Sequence, residues 1–292
     1  MKFRIKIFNQ EYKISEILLR ILIFVSGIFT CLVIISVMIY IIINGISKID
    51  FKFLSSAYSE SSNGDKGILP MIINTFYVVI LSMFISFPIG VTSAVYLTQY
   101  SKFEFFNKLV SFSSDILSGL PSIIFGVFGY AVFCSGFRLG TSILAGSITM
   151  AISILPTILK TSEDALNNVP VSYKEASISL GASRLRTVFM IILPTAIPEI
   201  LVATSLCIGK IMGESAILIY TLGMSYSMPK NIFSHIFESG RTLTLHLYQV
   251  AKQANSEDSL AITFATASIL LIFIFILNIT FDFILKKVFH RK

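Results

Sequence analysis

Charge is what this sequence has least of. Only 13% of its 292 residues are Asp, Glu, Lys or Arg, against 54% hydrophobic, and the mean hydropathy is +0.82. A soluble fold needs charges interrupting its helices every few residues, yet Ile21 to Ile43 contains none. That run of about 23 residues, at about 1.5 Å rise each, is long enough to cross a bilayer core, so a soluble enzyme is excluded and an integral membrane protein is required. Cysteine is scarce too. Cys31, Cys134 and Cys207 each lie in or beside an apolar run, without a CxxC pair or a neighbouring His. They read as small buried apolar residues, with neither disulfide nor metal site expected. Also absent are the GxxxxGK[ST] loop that cradles nucleotide phosphates and the HExxH helix of a zinc protease, so any nucleotide energy must come from a partner. There is no internal repeat. The first apolar run is too long for a cleavable signal peptide and ends without a small-residue cleavage site.

What is present is a series of apolar runs. Six spans are predicted, at about 21–43, 68–97, 112–135, 139–159, 195–220 and 260–285. They are helices, because hydrocarbon offers no partner to backbone N–H and C=O groups. Fifteen of the 23 Lys and Arg fall in residues 1–20, the loop before the third span, the segment between the fourth and fifth spans, and the C-terminal tail. Seven fall in the other loops, and Lys210 lies within a span. This asymmetry places both termini and the 160–194 segment in the cytoplasm. The net charge of +7 therefore reports topology and anionic lipid, not nucleic acid. Residues 1–67 read as a tail, a first helix and an outer linker whose SESSNGDKG forms a flexible turn; residues 68–292 read as the core. Pro88, Gly90 and Pro156 allow kinks. Gly119, Gly126, Gly129, Gly140, Ala145, Gly146 and Ser147 allow close helix packing. In the long outer loop, about 221–259, PKNIFSHIFESG reads as a short surface helix. His235 and His246 there lack ligand-like spacing and read as solvated loop residues.

The segment from Ser172 to Pro194 reads as two short helices joined at Gly181. Ser172 as N-cap with Glu175 three residues on forms a capping box. Gly181 supplies a left-handed stop after Leu180, and Ser183 caps the run Arg184 to Leu193. Ala176, Ser177 and Ser179 let another surface come close. Charges in or beside spans are costly and mark functional candidates. Lys160, Glu163 and Asp164 share one helical face, and Lys210 and Glu214, four residues apart, share another. Lys210 stands roughly 24 Å along a helix from Pro194, well inside the bilayer.

The spacing Glu175-Ala176-Ser177, Gly181, Ile191, Leu193, Pro194 resembles the EAA loop of ABC-importer membrane subunits, with Ser177 replacing the second Ala. In order and spacing, LPTILKTSEDALNNVP, this loop and IGKIMGESAILIYT resemble the A-type permease subunit of the phosphate-specific ABC importer, from about residue 68 to the C-terminus. The resemblance implies an all-α integral membrane fold of type I importer permeases, with six transmembrane helices and cytoplasmic EAA-type coupling helices. It implies that Ser172, Glu175, Ala176, Ser177, Gly181, Ile191, Leu193 and Pro194 couple to an ATPase, and that Lys160, Glu163, Lys210 and Glu214 belong to the phosphate path. It also implies a second, C-type permease subunit, two ATPase subunits carrying ATP and Mg, and an outer phosphate-binding protein. The family usually has Arg where Lys160 and Lys210 stand, Thr and Pro where Ser215 and Ile217 stand, and Gly where Glu199 stands. Lysine keeps the charge without the bidentate fork, so molybdate or sulfate fits the same sites. A membrane subunit that signals phosphate supply through the same loop is the reading from another class.

Overall fold

A computed structural model of the chain describes residues 4–7, 10–59, 66–229, 231–253 and 257–289. A two-stranded antiparallel hairpin, β1 (Arg4–Ile7) and β2 (Gln10–Lys13), runs into the 33-residue helix α1 (Ile14–Ile46). After it come α2 (Phe51–Ser55), α3 (Leu69–Val95), α4 (Glu104–Gly119), α5 (Ser122–Gly129) and α6 (Ile143–Asn167). The second half holds α7 (Val171–Ser179), α8 (Arg184–Thr187), α9 (Leu193–Gly213), α10 (Ala216–Thr221), α11 (Leu243–Lys252) and α12 (Glu257–Phe289). Five stretches among the described residues are long and apolar enough to cross a membrane: Glu16–Ile46, Leu69–Tyr100, Ile143–Asn167, Arg184–Gly213 and Ser259–Phe281. They match five of the six expected spans.

The third span, expected over 112–135, is broken. Glu104–Gly119 and Ser122–Gly136 meet at 100° across Leu120 and Pro121. Leu120 is extended, at ψ 135°, as the residue before a proline prefers. The fifth span also stops short of its expected end, because the chain leaves α9 at Glu214 (φ −83°, ψ 126°) and restarts as α10. Pro88, Pro156 and Pro198, by contrast, sit inside helices.

The centre of the bundle is α3 against α6. A Cβ at Gly90 would lie 2.6 Å from Ile158 Cγ2, so the two helices approach closely there. Ser82 donates to the Ser147 carbonyl at 3.0 Å. Val78, Met150, Ile154, Ile158, Ile211 and Leu218 form one fully buried core around this seam. α1 stands apart on the outside and touches α12, where Ser268 Oγ donates to the Ile41 carbonyl at 3.0 Å. Its outward face carries Cys31, which is exposed, whereas Cys134 and Cys207 are buried as expected.

At one end of the bundle the segment after Leu222 folds back onto it, which corrects the expectation of a solvated loop. His235 and His246 are both 0% exposed. His235 sits in the 3-10 turn Ser234–Phe237, with Nδ1 2.8 Å from Glu238 Oε2 and Nε2 2.7 Å from Asn74 Oδ1 on α3. His246 lies on α11, a helix the sequence reading missed although Thr242 caps it in the ordinary way, accepting from the Leu245 N–H at 3.3 Å. Its ring meets Tyr58 edge-on at 4.7 Å, and neither ring nitrogen has a hydrogen-bond partner among the described residues. Burial, with a contribution from Arg241, pushes its pKa down to about 3. Among the described residues no group of three His, Cys, Asp or Glu is placed to hold a metal. In the linker after α1, Asp50 caps α2, accepting from the Phe53 N–H at 2.6 Å, while residues 60–65 of the SESSNGDKG turn lie outside the described residues.

Candidate functional site

At the opposite end, α7 and α8 form a helical hairpin that the C-terminal turns of α3 and α6 meet. The expected capping box is absent. The helix begins two residues earlier, after Pro170 (φ −55°, ψ 131°), which takes the cap position and offers no side-chain hydrogen bond. Ser172 therefore lies inside the first turn, and Ser172 and Glu175 are both exposed. Among the described residues Glu175 makes no ion pair or side-chain hydrogen bond, so its carboxylate is free for a partner.

The stop is as expected, and the structure shows why it works. Gly181 has φ +83°, its N–H reaches the Ile178 carbonyl at 2.9 Å, and the Ala182 N–H reaches the Ser177 carbonyl at 3.1 Å. These two bonds make a Schellman motif and satisfy carbonyls that a helix end otherwise leaves open. Nothing lies within 4 Å of where a Gly181 Cβ would be, so glycine is required by backbone conformation alone. Ser183 then caps α8, accepting from the Arg186 N–H at 3.3 Å. The helix runs on through the wide π turn Val188–Ile192 into α9. That turn precedes Pro194, whose ring cannot donate to, and would clash with, a carbonyl one ordinary turn back.

Of the small residues, Ser177 faces inward rather than outward. It is buried, 2.9 Å from Thr187 Oγ1, and so ties α7 to α8. The outward surface is instead Val171, Tyr173, Ile178, Leu180 and Leu185, with Leu180 89% exposed. An apolar crest of this kind, rimmed by Glu175 and Arg186, costs free energy in water and fits a protein surface. Ile191 and Leu193 are half-buried and Pro194 is exposed.

Of the two charge groups expected from the sequence, Lys160, Glu163 and Asp164 stay close together on α6, whereas Lys210 and Glu214 part. Lys160, exposed on α6, closes an ion pair with Asp115 of α4, while Glu163 and Asp164 form no ion pair among the described residues. Asp115 went unnoticed in the sequence because 45 residues separate it from Lys160. Lys210 and Glu214 do not share a helix face, because Glu214 stands beyond the end of α9. Its Oε1 accepts from the Ala216 N–H at 2.8 Å and caps α10. Lys210 is exposed in the last turn of α9 and makes no ion pair or hydrogen bond among the described residues. Glu199 acquires a role: Asn168, at the end of α6, donates to its Oε1 at 2.9 Å, joining α6 to α9 beside the hairpin.

Comparison with known proteins bears on this architecture directly. Residues 86–290 match the family of binding-protein-dependent transport system inner membrane components. The chain is 33% identical over 249 residues to the "Probable ABC transporter permease protein YqgI" of Bacillus subtilis (strain 168), covering 82% of this chain and 84% of that one. It is 32% identical over 219 residues to the phosphate transport system permease protein PstA of Pasteurella multocida (strain Pm70), covering 74% and 75%. In fold it is similar to a subunit of a bacterial alginate ABC transporter solved in complex with an alginate pentasaccharide-bound periplasmic protein. That match has a TM-score of 0.68 at 15% identity over 94% of this chain and 96% of that one. It also resembles the MetNI methionine ABC transporter in an inward-facing conformation, at TM-score 0.57 and 19% identity over 76% and 94%. With spans, hairpin and family pattern in register, the chain belongs to the binding-protein-dependent transport system inner membrane components and is a membrane-spanning permease subunit of an ABC importer.

Proposed function

We propose that this chain is the A-type permease subunit of an importer of inorganic phosphate. The observation that carries the reading is the hairpin, with an apolar crest and an unpaired Glu175 on a chain that has no nucleotide loop of its own. In this reading the hairpin and both termini face the cytoplasm, and an ATPase subunit with ATP and Mg grips the crest. A C-type permease subunit covers the exposed faces of α5 and α9. The folded outer segment receives a phosphate-loaded binding protein. ATP drives the cycle only because it binds one conformation better than the other, since a ligand without that preference shifts no equilibrium. The relatives named as phosphate permeases support the cargo.

Within a span, an exposed and unpaired Lys210 is costly against lipid but serviceable against a hydrated path at the subunit interface. Lys160 is the weaker candidate, because Asp115 neutralises it. A lone ammonium attracts a divalent anion without the tight bidentate grip of Arg, which suits a path that must also release its cargo. Phosphate uptake by cells that depend on this importer tests the assignment: Lys210→Ala is expected to lower uptake at unchanged membrane abundance, and undiminished uptake removes Lys210 from the path. ATP turnover of the purified complex, stimulated by phosphate but not by molybdate or sulfate, is the expected result for the cargo.

A further inference from the structure

Gln99 is a polar side chain only 7% exposed at the hairpin end of the bundle. It lies in the π turn Tyr96–Tyr100 that closes α3, where the chain is leaving the helix and the last carbonyls have no helical N–H to accept. Its two oxygens are each taken by a cation from a different arm of the hairpin. The side-chain Oε1 accepts from Lys174 Nζ of α7 at 3.1 Å. The main-chain carbonyl accepts from the Arg184 guanidinium of α8, which also lies 5.3 Å from the centre of the Tyr100 ring. On the α8 side Val95 and Leu97 share a buried apolar cluster with Val188 and Ile192, whereas on the α7 side a cavity of about 190 Å³, lined by Thr98, Gln99, Leu166, Pro170, Lys174 and Ile192, lies between α7 and the ends of α3 and α6.

The hairpin is joined by peptide bonds to α6 before it and to α9 after it. It has no chain connection to α3, the helix that shares the central seam with α6. A load on α7 that reached α6 alone would shear this seam, where Gly90 meets Ile158 and Ser82 bonds the Ser147 carbonyl. We infer that Gln99 is a positioning residue that fastens both arms of the coupling hairpin to α3, so that α3 and α6 move as a unit when the hairpin is displaced. The inference rests on the reading of the hairpin as the surface an ATPase grips. It adds the route by which motion enters the one central helix the hairpin does not continue into.

The test uses the whole complex, both permease subunits with their ATPases, reconstituted in lipid with the binding protein loaded with inorganic phosphate. Gln99→Leu removes the acceptor at similar volume, Gln99→Glu keeps it, and Lys174→Met removes the same bond from the other side. Gln99→Leu is expected to copurify with the ATPase and to keep its unstimulated ATP turnover, while stimulation by the loaded binding protein falls at least about fivefold. Gln99→Glu is expected to stay within about twofold of the original, and Gln99→Leu with Lys174→Met to be no worse than either alone. Full stimulation in Gln99→Leu overturns the inference, as does a Gln99→Glu as impaired as Gln99→Leu, or loss of the ATPase from Gln99→Leu. If Gln99→Leu fails to fold, Lys174→Met carries the same expectation, and full stimulation there overturns it equally. An unaltered complex whose permease holds no ATPase refutes the reading of the hairpin itself, and the inference falls with it; full stimulation in the variants leaves that reading standing.

Discussion

Replacing Gly181 isolates backbone conformation from every other effect. The residue sits at φ +83° with no atom within 4 Å of a would-be Cβ, so side-chain size meets no obstacle there. An L-residue in that region costs about 1–2 kcal/mol, because its Cβ crowds its own carbonyl; Asn tolerates the region better than Ala. The two bonds that close α7, from the N–H groups of residues 181 and 182, open by a local fluctuation, and the added cost falls on the closed state. Gly181→Ala is therefore expected to raise the opening equilibrium of this turn about 5- to 30-fold, with Gly181→Asn in between. Hydrogen exchange of hairpin peptides, followed by mass spectrometry on the purified protein, reads that ratio directly. Global stability falls by no more than the same about 1–2 kcal/mol, because the turn is exposed and touches no core. The order of the variants is decisive: a steric cause ranks the larger Asn as worse than Ala, the conformational cause ranks it as milder. Exchange as slow in Gly181→Ala as in the original, or faster in Gly181→Asn than in Gly181→Ala, refutes the reasoning.

Two further outcomes follow from the packing. His246 accepts a proton near pH 6.5 when unfolded but only near 3 when folded, so its contribution is complete above 6.5 and lost as pH falls toward 3, at about 1.4 kcal/mol per pH unit. His246→Phe, which keeps the edge contact with Tyr58, is expected to flatten the acid limb of thermal stability between pH 6.5 and 4; an unchanged slope contradicts this. Gly129→Ala places a Cβ 2.2 Å from Thr149 Oγ1, with an expected cost of about 1–3 kcal/mol in a melting experiment. Adding Thr149→Ala, which deletes the two nearest atoms, recovers part of that loss.

Hydropathy located five spans, though not all of their ends, because length and apolarity are summed along the chain and need no partner. The break in the third escaped it for a related reason. Pro88, Pro156, Pro198 and Pro121 look alike in sequence, and three of them stay helical. Whether a proline bends a helix or breaks it depends on which neighbours take up the freed carbonyls, and only the packed bundle answers that. The histidines failed similarly. His235 looked polar and loop-borne, but Asn74 and Glu238 surround it with acceptors drawn from positions far apart or beyond a turn.

The hairpin divides the same way. Gly181 and Ser183 were legible because a left-handed stop and an N-cap are local, each set by a few consecutive residues. The inward turn of Ser177, the pairing of Lys160 with Asp115, the separation of Lys210 from Glu214 and the hold of Gln99 on both arms were not. What the order of residues determined on its own was the membrane as solvent and the local signals at Gly181 and Ser183; other partners just as near in sequence, the Thr242 cap of α11 and the Glu214 cap of α10, became visible only in the folded chain. Where two helices meet, the partner is chosen by which surfaces fill the shared space, and that is a property of the assembled bundle.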